Sequence, residues 1–129
     1  MTAITLTIPP AREFHDVAHL VLGGLGSRLH LTVEDLEDLQ IALGELLARQ
    51  SRTAPVTLEV VVEDEHLNAA VGPFDPDSLV LHLEEQEGIG LRRVLEAVVD
   101  QIGVTERDGA GWVRLTKTLH RGDRQGAGV

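Results

Sequence analysis

The sequence predicts an α+β fold, a two-layer α/β sandwich with the helices on one face of a mixed sheet. Three observations predict it. Runs of alternating or β-branched residues at 3–8, 56–64, 67–71 and 104–119 read as strands. Stretches with apolar residues three and four apart, at 14–29, 32–50 and 88–103, read as helices. The strands fall in adjacent pairs instead of alternating strictly with helices, in the order β α α β β α β β.

The first strand, AITLTI, ends at Pro9-Pro10. Phe14, Val17, Ala18, Val21, Leu25 and Leu29 then keep helical period, and Gly23, Gly24 and Gly26 weaken that helix by roughly 1 kcal/mol each relative to Ala. Close packing and a bend are both open as reasons for them. The central helix begins at Thr32, a good N-cap with Asp35 at the third helical position of a capping box. Glu34, Asp35, Glu37 and Asp38 crowd its first turns, where the helix dipole favours negative charge. Leu36, Leu39, Leu43, Leu46 and Leu47 form one apolar stripe. Asp38, Ala42, Glu45 and Arg49 lie on a second face, which is either wet surface or the floor of a site.

Val56–Asp64 and Leu67–Val71 form a hairpin, and Gly72–Ser78 carries turn chemistry. Leu79–Glu87 shows no clear period and reads as a mobile segment. Leu91, Leu95, Val98, Val99 and Ile102 place a helix between Gly88 and a stop at Gly103. Asp108-Gly109 is a type I′ turn signal for a closing hairpin. One domain over 1–120 and a disordered tail over 121–129 are expected.

The net charge of −10 disfavours nucleic acid, whose phosphates such a surface repels, and one Trp with two Phe leaves no base-stacking platform. A basic protein partner suits the charge better. With no cysteine there is no disulfide, thiolate metal site or Cys nucleophile. No apolar run approaches membrane-spanning length and the start lacks a signal-peptide pattern, so a cytoplasmic protein with no membrane association is expected.

Three constellations could carry chemistry. His15 and His19, one turn apart, echo the zinc-protease spacing, but Asp16 replaces the Glu base and no third ligand follows, so two solvated histidines and no metal site are expected. Gly88-Ile89-Gly90 before a helix can cradle phosphate, or can be a hinge and helix start. Glu45 can be a general base, or a surface partner of Arg49 four residues on.

Taken together, the LEDLQIALGELLA helix, the GPFDP turn and the GIGL helix start resemble the GHKL (Bergerat-fold) ATPases, closest to the bacterial anti-sigma factor serine kinases, over Ile4–Leu119. The resemblance implies the Bergerat fold. It makes Glu45 the candidate catalytic base and puts Arg49 where an Asn would hold Mg²⁺. Gly88 and Gly90 become candidate phosphate contacts, with Arg49 a third. It places Ala69 or Ala70 where an Asp would read the adenine amino group, and Val71 and Pro73 where glycines would stand. A guanidinium cannot ligate Mg²⁺, and an alanine side chain accepts no hydrogen bond. The expectation is therefore a kinase-like regulator with a degenerate nucleotide site, which binds a protein and needs no cofactor. That protein would be a sigma factor, an anti-anti-sigma protein or a kinase-like subunit, and homodimerisation is compatible with the pattern. The alternatives are an active serine kinase using ATP and Mg²⁺ on an anti-anti-sigma antagonist, and a structural or dimerisation module.

Overall fold

The computed structural model describes residues 2–51, 53–84 and 90–120. In chain order the elements are β1 (Thr2–Ile8), α1 (Glu13–Arg28), α2 (Val33–Leu47), β2 (Val56–Glu63), β3 (His66–Phe74), α3 (Pro76–Leu83), α4 (Leu91–Val98), β4 (Gln101–Arg107) and β5 (Ala110–Thr118). The strands form one five-stranded sheet in the order β1-β2-β3-β5-β4.

Every neighbouring pair in this sheet is antiparallel, so the expected mixed sheet is corrected. The reason lies in the connections. Two antiparallel helices, α1 and α2, return the chain to the end it left, so β2 runs opposite to β1. The β3-to-β4 crossover would make a parallel pair, but β5 turns back into the place between them.

Alternation along β2 shows which face is covered. Val56, Leu58, Val60 and Val62 are buried, and Thr57, Glu59 and Val61 are half-buried on the other side. The inward set meets Leu22 of α1 and Leu39, Leu43, Leu46 and Leu47 of α2 in one apolar core. Helix α2 packs on α1 at one side and on α4 at the other. Its second face is therefore not wet surface, and Ala42 is 1% exposed. The helices thus lie on one face, as expected.

Local chemistry explains most element ends. The Thr32 hydroxyl accepts from the Asp35 N–H at 3.1 Å and caps α2. Asp75 caps α3 in the same way, accepting from the Ser78 N–H at 3.1 Å, and Pro76 fills the first helical position. This helix replaces the end of the turn and most of the mobile segment expected over 72–87, of which 85–87 lie outside the described residues. Asp108 and Gly109 both have positive φ, 52° and 80°, as a type I′ turn requires.

The third long helix is shorter than its period suggests. It ends at Val98, and Gly103 is a strand residue paired with Arg114 and not a helix stop. Pairing of Gln101–Arg107 along β5 outcompetes continuation of the helix. Gly26 settles one question about α1, since a Cβ there would lie 2.9 Å from Leu36 Cδ1 of α2, so close packing is its role. No helix among the described residues is long and apolar enough to cross a membrane.

Candidate functional site

Helix α2 carries Glu45 in its last turn, and Arg49 follows just past the Ala48 C-cap. Arg49 Nη1 donates to Glu45 Oε2 at 2.8 Å and to the Glu45 carbonyl at 2.8 Å. The Arg49 side chain is 17% exposed and that of Glu45 is 37% exposed, so the pair sits half-sunk at the helix end. The carboxylate is thus engaged by a cation one turn away.

Arg49 also lines a groove of about 520 Å³. Its other walls come from Pro73 and Phe74 at the end of β3, Ser78, Leu79 and His82 of α3, and Gly109-Ala110 at the β4–β5 turn. Two segments singled out in the sequence, the end of the central helix and the GPFDP turn, therefore meet. The Gly72–Pro73 peptide on this wall is cis. Gly72 itself is held tight, because a Cβ there would fall 2.5 Å from the Trp112 ring.

The glycine stretch does not join them among the described residues. Gly90 is buried as the N-cap of α4, where its carbonyl accepts from the Val94 N–H at 3.2 Å. Gly88 lies outside the described residues.

Ala69 and Ala70 fall on opposite faces of β3. Ala70 pairs with Glu59 and Arg114. Ala69 faces the helices and borders a void of about 20 Å³ lined by Leu22, Leu39, Leu43, Leu58, Val60, Leu67, Val71 and Leu115. That lining is wholly apolar, and such a void stays dry.

The two histidines of α1 are half-buried and not fully solvated as expected. His15 Nε2 lies 3.1 Å from Gln50 Oε1, and His19 would touch a Cβ placed on Gly44 at 3.5 Å. Both are half-buried against α2, because α1 turns this side toward its neighbour. His15 and Gln50 also border a second groove of about 750 Å³ with Arg12 and Asp16. No group of three or more His, Cys, Asp or Glu among the described residues is placed to hold a metal ion.

A polar cluster that the sequence reading missed joins three elements. Asp35, read only as a capping residue, is buried and sends its carboxylate to the end of β5. It accepts from the His120 N–H at 2.6 Å and lies 3.7 Å from Lys117 Nζ. Lys117 also donates to Asp38 Oδ2 at 3.1 Å and to the Val98 carbonyl at 3.0 Å. The available signal was Lys117 itself, which shares the inward register of Val113, Leu115 and Leu119. Nearby, the Thr118 N–H donates to Asp100, and this bond holds the Asp100 carboxyl below the usual carboxylate range.

The layers, the strand order and the central helix bordering a groove fit the GHKL, or Bergerat-type, ATPase-like fold. Among solved structures it matches one third of a chain that comprises the RsbU and RsbW domains of a Mycobacterium tuberculosis protein (TM-score 0.68, 14% identity, 92% of this chain and 33% of that one). It also matches a chain of the SiaB–SiaC complex from Pseudomonas aeruginosa (TM-score 0.59, 13% identity, 91% of this chain and 89% of that one).

In sequence the chain is 28% identical to the serine-protein kinase RsbW of Bacillus subtilis (strain 168), covering 91% of this chain and 86% of the relative. It is 29% identical to the protein of the same name in Bacillus velezensis, with the same coverage. No protein-family model matches the chain. The resemblance to the anti-sigma factor serine kinases of the GHKL type therefore holds across nine-tenths of the chain.

Proposed function

We propose that this protein is a cytoplasmic, anti-sigma-type regulator that acts by binding another protein and has lost the use of ATP. It works as one domain spanning 1–120. Its partner is a sigma factor, an anti-anti-sigma protein or a kinase-like subunit. The similarity to the RsbW kinases and to the SiaB–SiaC structure supports the regulatory class and a protein partner.

One observation carries the loss of nucleotide chemistry. The position that a magnesium ligand would fill holds Arg49, and its guanidinium closes on the Glu45 carboxylate at 2.8 Å. A cation there repels Mg²⁺ and occupies the base that would activate a hydroxyl. The candidate purine-reading positions support the same reading, since neither Ala69, which lies among leucines and valines, nor Ala70, on the opposite face of β3, has a side-chain group to read an amino substituent. The residues present thus do not fit Mg²⁺ and adenine.

Calorimetry with ATP in Mg²⁺ buffer tests this. No measurable heat of binding is expected, and micromolar affinity overturns the reading. A pull-down against sigma factors and anti-anti-sigma proteins encoded nearby is expected to recover a stoichiometric partner.

A second reading is favoured by the groove of about 520 Å³ that stays open beside Arg49. In it the protein is an active serine kinase, with Glu45 as base and Arg49, Gly88 and Gly90 at the phosphates. Transfer of labelled phosphate to the partner, abolished by Glu45→Ala, would establish it.

A further inference from the structure

We propose that the face of the sheet away from the helices holds a seat for an arginine of a partner protein, built from Trp112, Glu59 and Thr105 and filled in the free chain by its own Arg107. The seat lies on the side of the sheet opposite α2, so it does not depend on whether ATP is bound.

Strand register gathers these residues into one patch. Strand β2 sends Val56, Leu58, Val60 and Val62 to the helices, so Glu59 between them projects from the other face. On β5, Val113 and Leu115 are buried toward the helices, so Trp112 projects the same way as Glu59. Thr105 is opposite Trp112 in the pairing of β4 with β5, and Arg107 follows two residues later on the same face. Gly72 lets the indole settle onto β3, because a Cβ there would fall 2.5 Å from the ring. Ala70 and Gly103 nearby are also small, which leaves the patch low and open to an incoming chain.

Arg107 shows what the seat accepts. Its Cζ stands 4.2 Å from the centroid of the indole, and its Nη1 donates to Glu59 Oε1 at 3.0 Å. An aromatic face and a carboxylate are the two parts of a cation site. A guanidinium suits them better than an ammonium, since it stacks on the ring and still has several N–H groups to donate.

The resident cation is held loosely. The Arg107 and Glu59 side chains are 42% and 38% exposed, and ion pairs as wet as this contribute little. Arg107 is the last residue of the edge strand β4, so it can swing outward without disturbing the core. Thr105 Oγ1 is buried in the patch with no hydrogen-bond partner among the described residues, which costs free energy that a second guanidinium donating to it removes.

Charge selects the partner. A chain of net charge −10 draws basic proteins toward it. Arg114, on the same face across Ala70 from Glu59, repels a dense run of cations, so the seat suits a single arginine and not a polybasic segment.

Trp112 is the only tryptophan of the chain, so its emission reports on the seat directly. The full chain is titrated with acetyl-Gly-Arg-Gly-amide and with the same peptide carrying citrulline, which keeps the shape and lacks the charge. The arginine peptide is expected to change the emission saturably, and the citrulline peptide to leave it unchanged. Arg107→Ala, which vacates the seat, should bind the arginine peptide at least about fivefold more tightly than the wild type. Adding Glu59→Gln to that variant should weaken binding at least about tenfold. Circular dichroism checks that each variant is folded. An Arg107→Ala protein that gives no saturable response, or binds no more tightly than the wild type, overturns the proposal. So does an equal response to the two peptides, or a double variant that binds as tightly as Arg107→Ala alone.

Discussion

The Asp35 carboxylate at the start of α2 lies 3.7 Å from the Lys117 ammonium near the end of β5, and their side chains are 5% and 9% exposed. Lys117 also binds Asp38 and the Val98 carbonyl, so one ammonium ties together the start of α2, the end of α4 and the last strand. A buried pair of this kind contributes little net stability, but removing Lys117 leaves the buried Asp35 carboxylate without its cation and with His120 as its remaining partner at the end of β5.

Lys117→Met should therefore destabilise the protein by about 3–5 kcal/mol, measured by urea unfolding. Asp35→Asn with Lys117→Met should cost less than the sum of the single changes, because the stranded charge is gone. A loss below about 1 kcal/mol for Lys117→Met would mean that the ammonium escapes to solvent.

Ala69 gives a second test, aimed at the proposed loss of adenine recognition. It borders a small apolar void among Leu22, Leu43, Leu67 and Leu115. Ala69→Asp should cost at least about 3 kcal/mol, since a carboxylate there gains no partner and must be desolvated or protonated. ATP with Mg²⁺ should leave the melting temperature of the variant unchanged. A rise in melting temperature with nucleotide would show that the purine site is latent and not lost.

Much of this fold was legible because local and global signals agree. The stripe from Leu36 to Leu47, the Thr32 cap and the Asp108-Gly109 turn each specify one conformation by themselves. The misses have physical causes. Helix α3 was hidden because Leu79, Val80, Leu81 and Leu83 run almost continuously, masking their period, although Asp75-Pro76 was a capping signal in plain view. Val99 and Ile102 fit a helical period by accident while β5 claims 101–107 for the sheet. Strand directions depend on where β5 inserts, which no local pattern records. Of the candidate site, Glu45 and Arg49 could be paired from their spacing alone. The Asp35–Lys117 cluster was missed because its members are distant in sequence, Asp35 already had a sufficient local role as a capping residue, and the inward register of Lys117 names no partner.

The glycines of α1 are separable by substitution. A Cβ on Gly24 would meet nothing within 4 Å, while one on Gly26 would press on Leu36 Cδ1 at 2.9 Å. Gly24→Ala should stabilise the protein by about 0.5–1 kcal/mol through helix propensity and reduced unfolded-state entropy. Gly26→Ala gains the same propensity but must displace a leucine at the α1–α2 contact, so its net effect should be neutral or destabilising. Thermal unfolding of the two variants checks the ordering, and equal stabilisation would show that the Leu36 side chain moves aside without cost.

Acid stability should report on Asp100. The Thr118 N–H donates to its carboxylate, and the positive charge of Lys117 adds to the effect, so the carboxyl titrates below its ordinary value in the folded chain. The unfolded chain therefore binds a proton at a pH where the folded chain does not, and stability rises with pH through that window. The contribution is fully present above the unfolded value, about 3.9, and is lost as pH falls through the lower folded value. Asp100→Asn keeps an oxygen that can accept from Thr118 but removes the titration. Its stability should therefore fall less steeply than that of the wild type when urea midpoints are compared between pH 5 and the acid limit of folding. Parallel pH profiles would mean that the Thr118 bond does not favour the ionised carboxylate.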